Sequence, residues 1–574
     1  MTKCSGYIKL ILMALLVIQT SCQHRLIDGD SQITMCNPIN LDYRFSVDNV
    51  SRRDGAHPCV ILYKDEYYLF MSDAGGYYHS NDLLHWNFIS TNLPVEENAP
   101  TVVNIEDELY FTASGTSAIY KTDNPINGQW EVAVDSLPYH VAEPMLFYDE
   151  GRLFLYSGSG NSVPLTGVEL DPKTFLPKDS PLPLIVSDKE KNGWEVAGDD
   201  HTWKTLSLWI EGTWMTKYNN RYYLQYASSG IQFKGSNEGV YLSDNPLGPF
   251  TLAKHNPFAY KPEGFINGVG NGCVFQDRYG NYWYAGTVAV TAKCLFERRV
   301  SLYPVFFDKD SVMYAYTGMG DYPMLIPDKK ISTPQELFPG WMLLSYNKVT
   351  RASSELRKYP ACCAVDENIR SWWSAVTGDK GEYLSVDLGE ECEVYAIQVN
   401  FADHDADVVG RSDSICYQYY LEKSDDGKKW EMLKDKSSNT VDAPHDYFQL
   451  EKPIRSRYFR ITNIHCPSGK FSISGFRVFG KAGKLPPEEV KSFRVIRDET
   501  DRRNVTIKWK KAVDAMGYNI RYGTSPDKLY HNYIVYGDTE VTIRSLHTGQ
   551  MYYFTIDSFN EGGITYNSKI EQIL

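Results

Sequence analysis

The chain has 574 residues, which is too many for one hydrophobic core and predicts roughly three to four domains. Aromatic residues make up 14% of the sequence, and its 42 tyrosines are typical both of strand-rich folds and of sugar-binding surfaces. The formal net charge of −14 is spread along the chain, which argues against nucleic acid as a partner.

Residues 1–21 have the features of a signal peptide. Lys3 and Lys9 precede the apolar run LILMALLVI, which is too short to span a membrane comfortably and ends at the small-residue site QTSC. This site resembles a bacterial lipobox with Cys22 as the lipidated residue, although Gln19 stands where such motifs prefer an aliphatic residue. The resemblance implies a lipoprotein of a Gram-negative outer membrane, in the periplasm or at the cell surface; plain secretion is the alternative.

The cysteines do not predict a disulfide framework. Apart from Cys4 and Cys22, nine cysteines show neither a CxxC pair nor the spacing of metal ligands. We therefore expect buried free thiols.

Between about residues 40 and 330, short aromatic strands recur, each behind a polar turn such as YKDE or DRYGN. The five strands are YYLF at Tyr67, LYFTAS at Leu109, LFLYSGSG at Leu153, YYLQYASS at Tyr222 and YWYAGT at Tyr282. Each turn and strand together form a hairpin signal. The intervals suit four-stranded blades with insertions, so the pattern predicts a β-propeller; a sandwich with long loops is the alternative.

Two further all-β units follow. Residues 341–481 contain the alternating runs YLSVDLG and YAIQVNF, which predict β-strands. After the link KAGKLPPEE, residues 485–574 carry regularly spaced strands and an inward Trp509, which predict a small β-sandwich. No convincing helix follows the N-terminal segment, so the predicted fold class is all-β.

Three widely spaced stretches carry residues suited to glycoside cleavage, which uses two carboxyl groups beside the scissile bond. They are DGAHPCVILYKDEYYLF from Asp54, VAEPMLFYDEGRLFLYSGSG from Val141 and LWIEGTWMTKYNNRYYLQYASSG from Leu208. On these stretches the segment 22–335 resembles glycoside hydrolase family 43. The resemblance implies a five-bladed propeller and an inverting enzyme, with the family's range of β-xylosidases, α-arabinofuranosidases, arabinanases and β-galactosidases.

In that family an Asp–Pro carries the general base, a second Asp–Pro tunes the acid, and a Glu–Gly is the general acid. Glu211 matches the acid, whose role requires a pKa raised by burial and a nearby negative charge. Glu143 takes the position of the tuning aspartate, with the same charge and one more methylene. An ordinary strand-end glutamate is the alternative for Glu211.

His57 stands at the position of the base. A neutral imidazole can accept a proton from water, but it supplies no negative charge to an oxocarbenium-like transition state. Asp54 is an alternative base, although three residues along an extended strand move a side chain by about 10 Å to the opposite face. A turn at Gly55 would bring it closer. A third alternative is that neither group acts as the base.

Further residues are expected to contact the substrate. Asn271 occupies the place of a central family histidine that often lies beside a metal ion, and its amide oxygen suits Ca²⁺. Arg299 resembles the family arginine that reaches the substrate; Arg298 in that role, or an ion pair of Arg299 with Glu297, is the alternative.

Aromatic side chains near the motifs are candidate sugar platforms. Tyr77 follows a Gly–Gly pair, and Trp214 lies three residues after Glu211. Packing within a blade is the alternative for both.

The two later units have resemblances of their own. Residues 341–481 resemble a discoidin-type (F5/8 type C) domain, on AVDENIRSWWSA, GEYLSVDLG and FSISGFRVFG. Such domains are often carbohydrate-binding jelly rolls, and either Trp372 or Trp373 is expected to be the core tryptophan. Residues 485–574 resemble a fibronectin type III domain, which usually acts as a spacer.

Together these features predict an exo-acting glycoside hydrolase for xylose-, arabinose- or galactose-type residues of polysaccharides or oligosaccharides. A catalytically impaired propeller that captures glycans and a purely structural surface protein are the alternatives. The expected partners are a saccharide and, through the lipid anchor, a membrane, and the protein is expected to be a monomer. The chemistry requires no cofactor, and a structural Ca²⁺ is compatible with the propeller centre or the discoidin domain.

Overall fold

The computed structural model describes residues 33–45, 50–94, 98–138, 141–161, 163–206, 209–290, 293–412 and 414–574. The predicted signal peptide and Cys22 lie outside these residues. The chain divides into the units Met1–Ile33 and Thr34–Leu574, and every described strand belongs to the second unit. Its regular structure is β-strand apart from 3₁₀ turns, which confirms the all-β prediction for the described ranges. Within those ranges, no helix has the length and apolar character needed to cross a membrane.

Strand β1 (Thr34–Met35) precedes five consecutive antiparallel sheets. The first sheet contains β2 (Cys59–Tyr63), β3 (Glu66–Phe70), β4 (Tyr77–Ser80) and β5 (Asn87–Ile89). The second contains β6 (Asn98–Ile105), β7 (Glu108–Ser114), β8 (Ile119–Thr122) and β9 (Glu131–Val134). The third contains β10 (Met145–Asp149), β11 (Arg152–Ser157), β13 (Leu165–Leu170) and β14 (Leu182–Ile185). The short strand β12 (Gly160–Asn161), which lies between β11 and β13 in the sequence, belongs to the fourth sheet.

The fourth sheet is the widest of the five because β12 and a short extra strand join it. Its strands besides β12 are β15 (Trp209–Tyr218), β16 (Arg221–Ser228), β17 (Asn237–Ser243), β18 (Thr251–Leu252) and β19 (Ala259–Tyr260). The fifth sheet contains β20 (Cys273–Gln276), β21 (Tyr282–Ala289), β22 (Arg298–Phe307) and β23 (Met313–Ala315). A final strand, β24 (Met324–Leu325), pairs with β1.

The five sheets are arranged in a closed ring. Their first strands β2, β6, β10, β15 and β20 lie next to one another in this order, and β20 lies against β2. The predicted aromatic strands are the second strands of the sheets, β3, β7, β11, β16 and β21. The polar turns before them are tight hairpins, and in YKDE the central Lys64 and Asp65 both have left-handed backbone, with φ of 50° and 62°.

The second domain, residues 341–481, contains one eight-stranded sheet system. Its strands are β25 (Met342–Leu343), β26 (Val349–Ala352), β27 (Trp373–Ser374), β28 (Tyr383–Phe401), β29 (Gln418–Ser424), β30 (Glu431–Asp435), β31 (His445–His465) and β32 (Ser472–Lys481). The pairing order is β25-β32-β28-β31-β29-β30, with β26 on β28 and β27 on β32. Trp373 is fully buried in the core of this domain, whereas Trp372 stacks on Tyr359 outside it.

In residues 485–574, which we call the third domain, two sheets lie over a common core that contains Trp509, as expected. The first sheet contains β33 (Phe493–Arg497), β34 (Val505–Trp509) and β37 (Glu540–Ile543). The second contains β35 (Gly517–Gly523), β36 (His531–Tyr536), β38 (Tyr552–Asn560), β39 (Gly563–Thr565) and β40 (Glu571–Ile573).

The third domain packs against the ring. The rings of Tyr314 and Tyr530 stack with their centroids 3.7 Å apart, and Lys528 forms an ion pair with Asp308. One buried apolar cluster joins all three domains and includes Met319, Phe479 and Ile534.

The short 3₁₀ turns are Pro125–Asn127, Gly193–Glu195, Pro334–Leu337 and Ala361–Ala364. The nine described cysteines are free thiols and six of them are buried, as expected; Cys362 is exposed.

Candidate active site

A cavity of about 630 Å³ opens at the ring and collects most of the predicted catalytic side chains. Its wall includes Asp54, His57, Glu143, Glu211 and Arg298. Asp54 and His57 precede β2, Glu143 precedes β10, Glu211 lies in β15, and Arg298 begins β22. The closed ring therefore brings together groups that are far apart in sequence, including two glutamates from different sheets.

Each of the five sheets contributes one residue with left-handed backbone to the centre of the ring. These residues are His57, Ala99, Glu143, Gly212 and Asn271, with φ between 48° and 62°. They line a smaller space of about 30 Å³ beneath the main cavity. Left-handed backbone in residues other than glycine is strained and is found where a fold holds functional side chains in place. The repeated conformation directs the chain towards the ring centre.

Glu211 is 9% exposed and has three hydrogen-bond donors. Its Oε2 accepts from Ser159 Oγ at 2.9 Å and from the Trp209 indole N–H, and its Oε1 accepts from Asn271 Nδ2 at 2.8 Å. The next residue, Gly212, has φ of +62°, and a Cβ there would lie 1.8 Å from Asn271 Oδ1. Asn271 therefore lies so close to residue 212 that only glycine fits there.

His57 is held as a neutral ring with its proton on Nδ1. The Ser72 hydroxyl donates its one proton to Asn98 Oδ1 at 2.6 Å, so it accepts from His57 Nδ1 at 2.7 Å. The other nitrogen, Nε2, accepts from Asn271 Nδ2 at 2.9 Å. Both ring nitrogens are therefore engaged.

The surroundings of His57 oppose its protonation. Burial, with a further contribution from the positive charge of Arg298, lowers the pKa of His57 to about 3. Its Nε2 lies 3.6 Å from Glu143 Oε2. A ring with this pKa and no free nitrogen is poorly suited to take a proton from water, which disfavours His57 as the base.

Glu143 lies in an environment that favours its protonated form. Burial and the charge of Glu211 raise the pKa of Glu143 well above its ordinary value. Its backbone N–H donates to Ser114 Oγ at 2.8 Å, which fixes the left-handed turn before Pro144. Among the described residues, Glu143 Oε2 has no hydrogen-bond partner.

A further carboxyl group beside the site, Glu238, was not predicted. It is fully buried on β17, and its Oε1 accepts from the Gly272 N–H and from Tyr284 OH, both at 3.0 Å. Burial raises the pKa of Glu238 well above its ordinary value, and the charge of Glu211 adds to the shift. Its place within a strand, without a motif, gave no signal in the sequence.

Asp54 and Arg298 form a two-point ion pair on the cavity wall. Arg298 Nε donates to Asp54 Oδ1 at 2.8 Å and Arg298 Nη2 donates to Asp54 Oδ2 at 2.5 Å. The chain is not extended here, because β2 begins only at Cys59 and His57 has left-handed backbone. Asp54 and His57 therefore share one cavity, and the opposite-face geometry of a regular strand does not apply.

Arg299 points away from the cavity, which corrects the expectation that it reaches the substrate. Its Nε donates to His445 Nε2 of the second domain at 2.9 Å, and its Nη2 lies 3.4 Å from Glu297 Oε1. Neighbouring residues of a strand face opposite sides, so on β22 only Arg298 faces the cavity. Both alternatives for these arginines agree with the structure, since Arg298 lines the cavity and Arg299 forms an ion pair with Glu297.

Tyr77 and Trp214 do not line the main cavity. Tyr77 is fully buried and stacks on Phe70 with centroids 4.5 Å apart, which corrects its assignment as a sugar platform. Trp214 donates from Nε1 to the Val274 carbonyl at 3.0 Å and packs between sheets at the ring centre. Blade packing explains both side chains.

Other apolar side chains take the place expected for a sugar platform. Leu206, Trp209 and Phe233 line the cavity, and Trp209 is 42% exposed. Trp203, 52% exposed, packs edge-on against Phe233. Trp209 lies two residues before Glu211, on the same face of the strand, and this spacing was a signal in the sequence that could have identified it.

Metal ligation is limited by the residue types at the site. In the described part of the chain, no group of three or more His, Cys, Asp or Glu side chains could hold a metal ion. Two oxygens, Glu143 Oε2 and Asn271 Oδ1, are buried and lack a hydrogen-bond partner there, and oxygen donors are the ligands that Ca²⁺ prefers.

Comparison with known proteins finds family models that match two segments of the chain. Residues 48–313 match glycosyl hydrolases family 43, and residues 348–474 match the F5/8 type C domain. An arabinoxylan arabinofuranohydrolase of Paenibacillus polymyxa is 27% identical over 295 residues, which cover 40% of this chain and 44% of that protein. The match thus spans less than half of the relative's length.

Similar solved structures include a thermostable family-43 glycoside hydrolase, 17% identical, over 52% of this chain and 100% of that one, with a TM-score of 0.42. An endo-1,4-β-xylanase of Bacteroides thetaiotaomicron is 20% identical, over 50% of this chain and 96% of that one, with a TM-score of 0.38. On its sequence matches, residues 48–313 are similar to the glycosyl hydrolases of family 43, and residues 348–474 are similar to F5/8 type C domains.

Proposed function

We propose that this protein is an exo-acting glycoside hydrolase that removes single xylose-, arabinose- or galactose-type residues from polysaccharide side chains or oligosaccharides. The observation that carries the proposal is the cavity in which Glu211, with three hydrogen-bond donors, shares a wall with the ion-paired Asp54. The name of the Paenibacillus relative makes arabinose side chains of arabinoxylan the first substrate to test.

Glu211 is the general acid and donates a proton to the departing glycosidic oxygen. A proton must remain in the site near neutral pH, and the buried neighbours of Glu211 favour this. Glu143 and Glu238 both have raised pKa values because of burial and the charge of Glu211. The protonated forms of Glu143 and Glu238 are therefore favoured beside Glu211.

Asp54 is the general base that takes a proton from the attacking water. The guanidinium of Arg298 pairs with both carboxylate oxygens. Oδ1 also accepts from the Gly55 N–H at 3.0 Å, so Oδ2 is the oxygen that keeps a lone pair for water. His57 supports this assignment indirectly, since its nitrogens are engaged by Ser72 and Asn271. His57 instead holds Asn271, whose amide in turn orients Glu211.

A Ca²⁺ ion at the ring centre would be held by Glu143 Oε2 and Asn271 Oδ1, the two buried oxygens without a hydrogen-bond partner among the described residues. When bound, it would supply positive charge beside the carboxyl cluster. No step of the proposed reaction depends on this ion.

The wider architecture belongs to the same proposal. We take the five sheets as the blades of a five-bladed propeller, which the closed ring of first strands supports. Residues 485–574 are proposed to be a fibronectin type III domain, which their two-sheet core supports. Lipidation at Cys22 and attachment to an outer membrane are proposed from the sequence around QTSC.

The replacement Glu211→Gln tests the acid. Aryl α-arabinofuranosides, β-xylosides and β-galactosides are incubated with the wild-type protein and with the variant, and product release and glycan binding are measured. We expect hydrolysis by the wild type and loss of hydrolysis in the variant, with binding retained. Full turnover by the variant would show that the assignment of Glu211 is wrong.

A glycan-capturing protein without catalysis is the second candidate, favoured by the neutral His57 at the position of the base. It predicts that the wild-type protein binds oligosaccharides but releases no product even after long incubation.

A further inference from the structure

One wall of the cavity is built by residues 188–206, which we call the wall segment. Ala197 and Leu206 of this segment line the cavity, and the chain then enters β15 with Trp209 and Glu211. The wall segment contains only one 3₁₀ turn and an isolated bridge between Ala197 and Trp203. Its position therefore depends on contacts with other parts of the protein.

The backbone of the wall segment pairs with the third domain. The Gly193 N–H donates to the Leu546 carbonyl and the Thr548 N–H donates to the Lys191 carbonyl, both at 2.9 Å. Asn192 and His547, between them, form an antiparallel bridge. These contacts give the wall segment a strand partner that lies more than 300 residues away in the sequence.

Gly193 sits where the two backbones are closest. A Cβ at this position would lie 2.2 Å from the Arg544 carbonyl oxygen and within 2.9 Å of backbone atoms of Leu546. Because backbone atoms cannot give way as a flexible side chain can, any side chain here would push the wall segment away from the third domain.

Two charged side chains of the third domain hold both ends of the wall segment. Arg503, which is 8% exposed, donates to the Lys189 carbonyl. Asp501 fixes Arg503 through bonds of 2.7 and 2.9 Å and also pairs with Lys204 at 2.5 Å. Lys189 Nζ in turn donates to the Leu206 carbonyl at 3.3 Å.

The opposite side of the wall segment is fixed to the ring. Glu195 accepts from Tyr226 OH of β16 at 2.5 Å, and Trp194 Nε1 donates to the same hydroxyl at 3.2 Å. The wall segment is thus held between the fourth sheet and the third domain. Any shift of the third domain's contact surface would be transmitted to the cavity wall.

The apolar part of this wall lies on the side where the leaving group departs. Trp209 donates directly to Glu211, the group that protonates the departing oxygen in the proposed reaction. Leu206 and Trp209 are 47% and 42% exposed, so they present apolar surface to a sugar ring. Sugar units beyond the cleaved bond would therefore contact this surface.

We propose that the third domain is a positioning part of the saccharide site, because residues 501–503 and 544–548 hold the wall segment that receives the leaving-group sugars. This inference rests on the proposed function. It makes Arg503 and Asp501 positioning residues, which act through Lys189 and Lys204 on Leu206 and Trp209.

The test compares Arg503→Ala with Lys508→Ala in the full-length protein. Lys508 lies in the same domain, and its ion pair with Glu540 is partly exposed on the first sheet, so it serves as the matched control. We expect Arg503→Ala to raise KM for an oligosaccharide about tenfold through misplacement of the wall. The kcat/KM for a nitrophenyl monosaccharide should fall by a smaller factor than that for the oligosaccharide, and Arg503→Lys should recover part of the loss.

A merely structural role would lower Tm and the activity on both substrates together, and this result would overturn the proposal. If Arg503→Ala fails to fold, Lys204→Met serves instead, because Lys204 is 53% exposed and we expect its replacement to leave the fold intact. Unchanged KM for the oligosaccharide in Lys204→Met would also contradict the proposal.

A binding measurement separates this inference from the proposed hydrolysis. Oligosaccharide affinity is measured by calorimetry in the Glu211→Gln background, with and without Arg503→Ala. If the wild type releases no sugar, the proposed hydrolysis fails, and the binding comparison still decides the positioning role. Equal affinities in the two variants would overturn it.

Discussion

His57 Nε2 accepts a hydrogen bond from Asn271 Nδ2 at 2.9 Å. By the resemblance to family 43, His57 takes the position of the base aspartate and Asn271 the position of a central histidine. Because the His57 imidazole accepts the hydrogen bond that the Asn271 amide donates, the two residues form one polar network, which ends at Glu211.

The replacement His57→Gln is expected to retain activity within about tenfold of the wild type. A glutamine offers one donor and one acceptor, which can serve Ser72 and Asn271 as the neutral ring does. Initial rates on an aryl glycoside measure the effect. A loss as complete as that of Glu211→Gln would instead make His57 the base.

The replacement Asp54→Asn is expected to lower kcat by about 10²- to 10⁴-fold, the usual contribution of a general base. Oligosaccharide binding should be retained, since the amide keeps the shape of the carboxylate. Rates are measured with and without azide, a small anion that can replace the activated water. An unchanged kcat would rule out Asp54 as the base.

Stability should fall as the pH drops below about 6.5, in part because of His57. The pKa of His57 is lowered to about 3 by burial, so between pH 6.5 and 3 the unfolded chain binds a proton that the folded protein does not. The slope for this single group is at most about 1.4 kcal/mol per pH unit.

Urea unfolding at pH 7 and pH 5 measures this dependence in the wild type and in His57→Gln. The variant lacks the ring, so the difference in its free energy of unfolding between the two pH values should be smaller. An identical difference in both proteins would show that His57 does not contribute.

The replacement Gly212→Ala should abolish most activity, because its Cβ would displace Asn271 and thereby Glu211. Gly151→Ala is the matched control, since Gly151 also has positive φ, +79°, but nothing lies within 4 Å of its added Cβ. Both variants should lose about 1 kcal/mol of stability from backbone strain. Equal residual activities would show that the contact with Asn271 is unimportant.

The sequence was informative where a local rule determines the structure. The aromatic strands behind polar turns were identified because two-residue hairpins need left-handed residues, as at Lys64 and Asp65. Glu211 and Glu143 were found because their Glu–Gly and Glu–Pro pairs resemble motifs of family 43. The pair Ala99–Pro100 repeats the pattern of Glu143–Pro144, so the positions from several sheets could have been found together.

The remaining features depend on tertiary contacts. Glu238 lies within an ordinary strand, and the register of the fourth sheet, in which Ala227 pairs with both Glu211 and Glu238, brings it near Glu211. Choosing Arg298 over Arg299 requires knowing which face of β22 meets the cavity. The contact between Arg503 and Lys189 spans more than 300 residues, and neither residue is part of a recognisable motif.

Arg53, next to Asp54 in the chain, is fully buried between Asp403 and Asp442 of the second domain. A buried cation that loses its anions destabilises a protein by several kcal/mol. The second domain therefore cannot be exchanged for an unrelated module as an independent piece. Any replacement would have to provide two acidic groups at the same place, so the catalytic and accessory domains are constrained to be inherited and to diverge together.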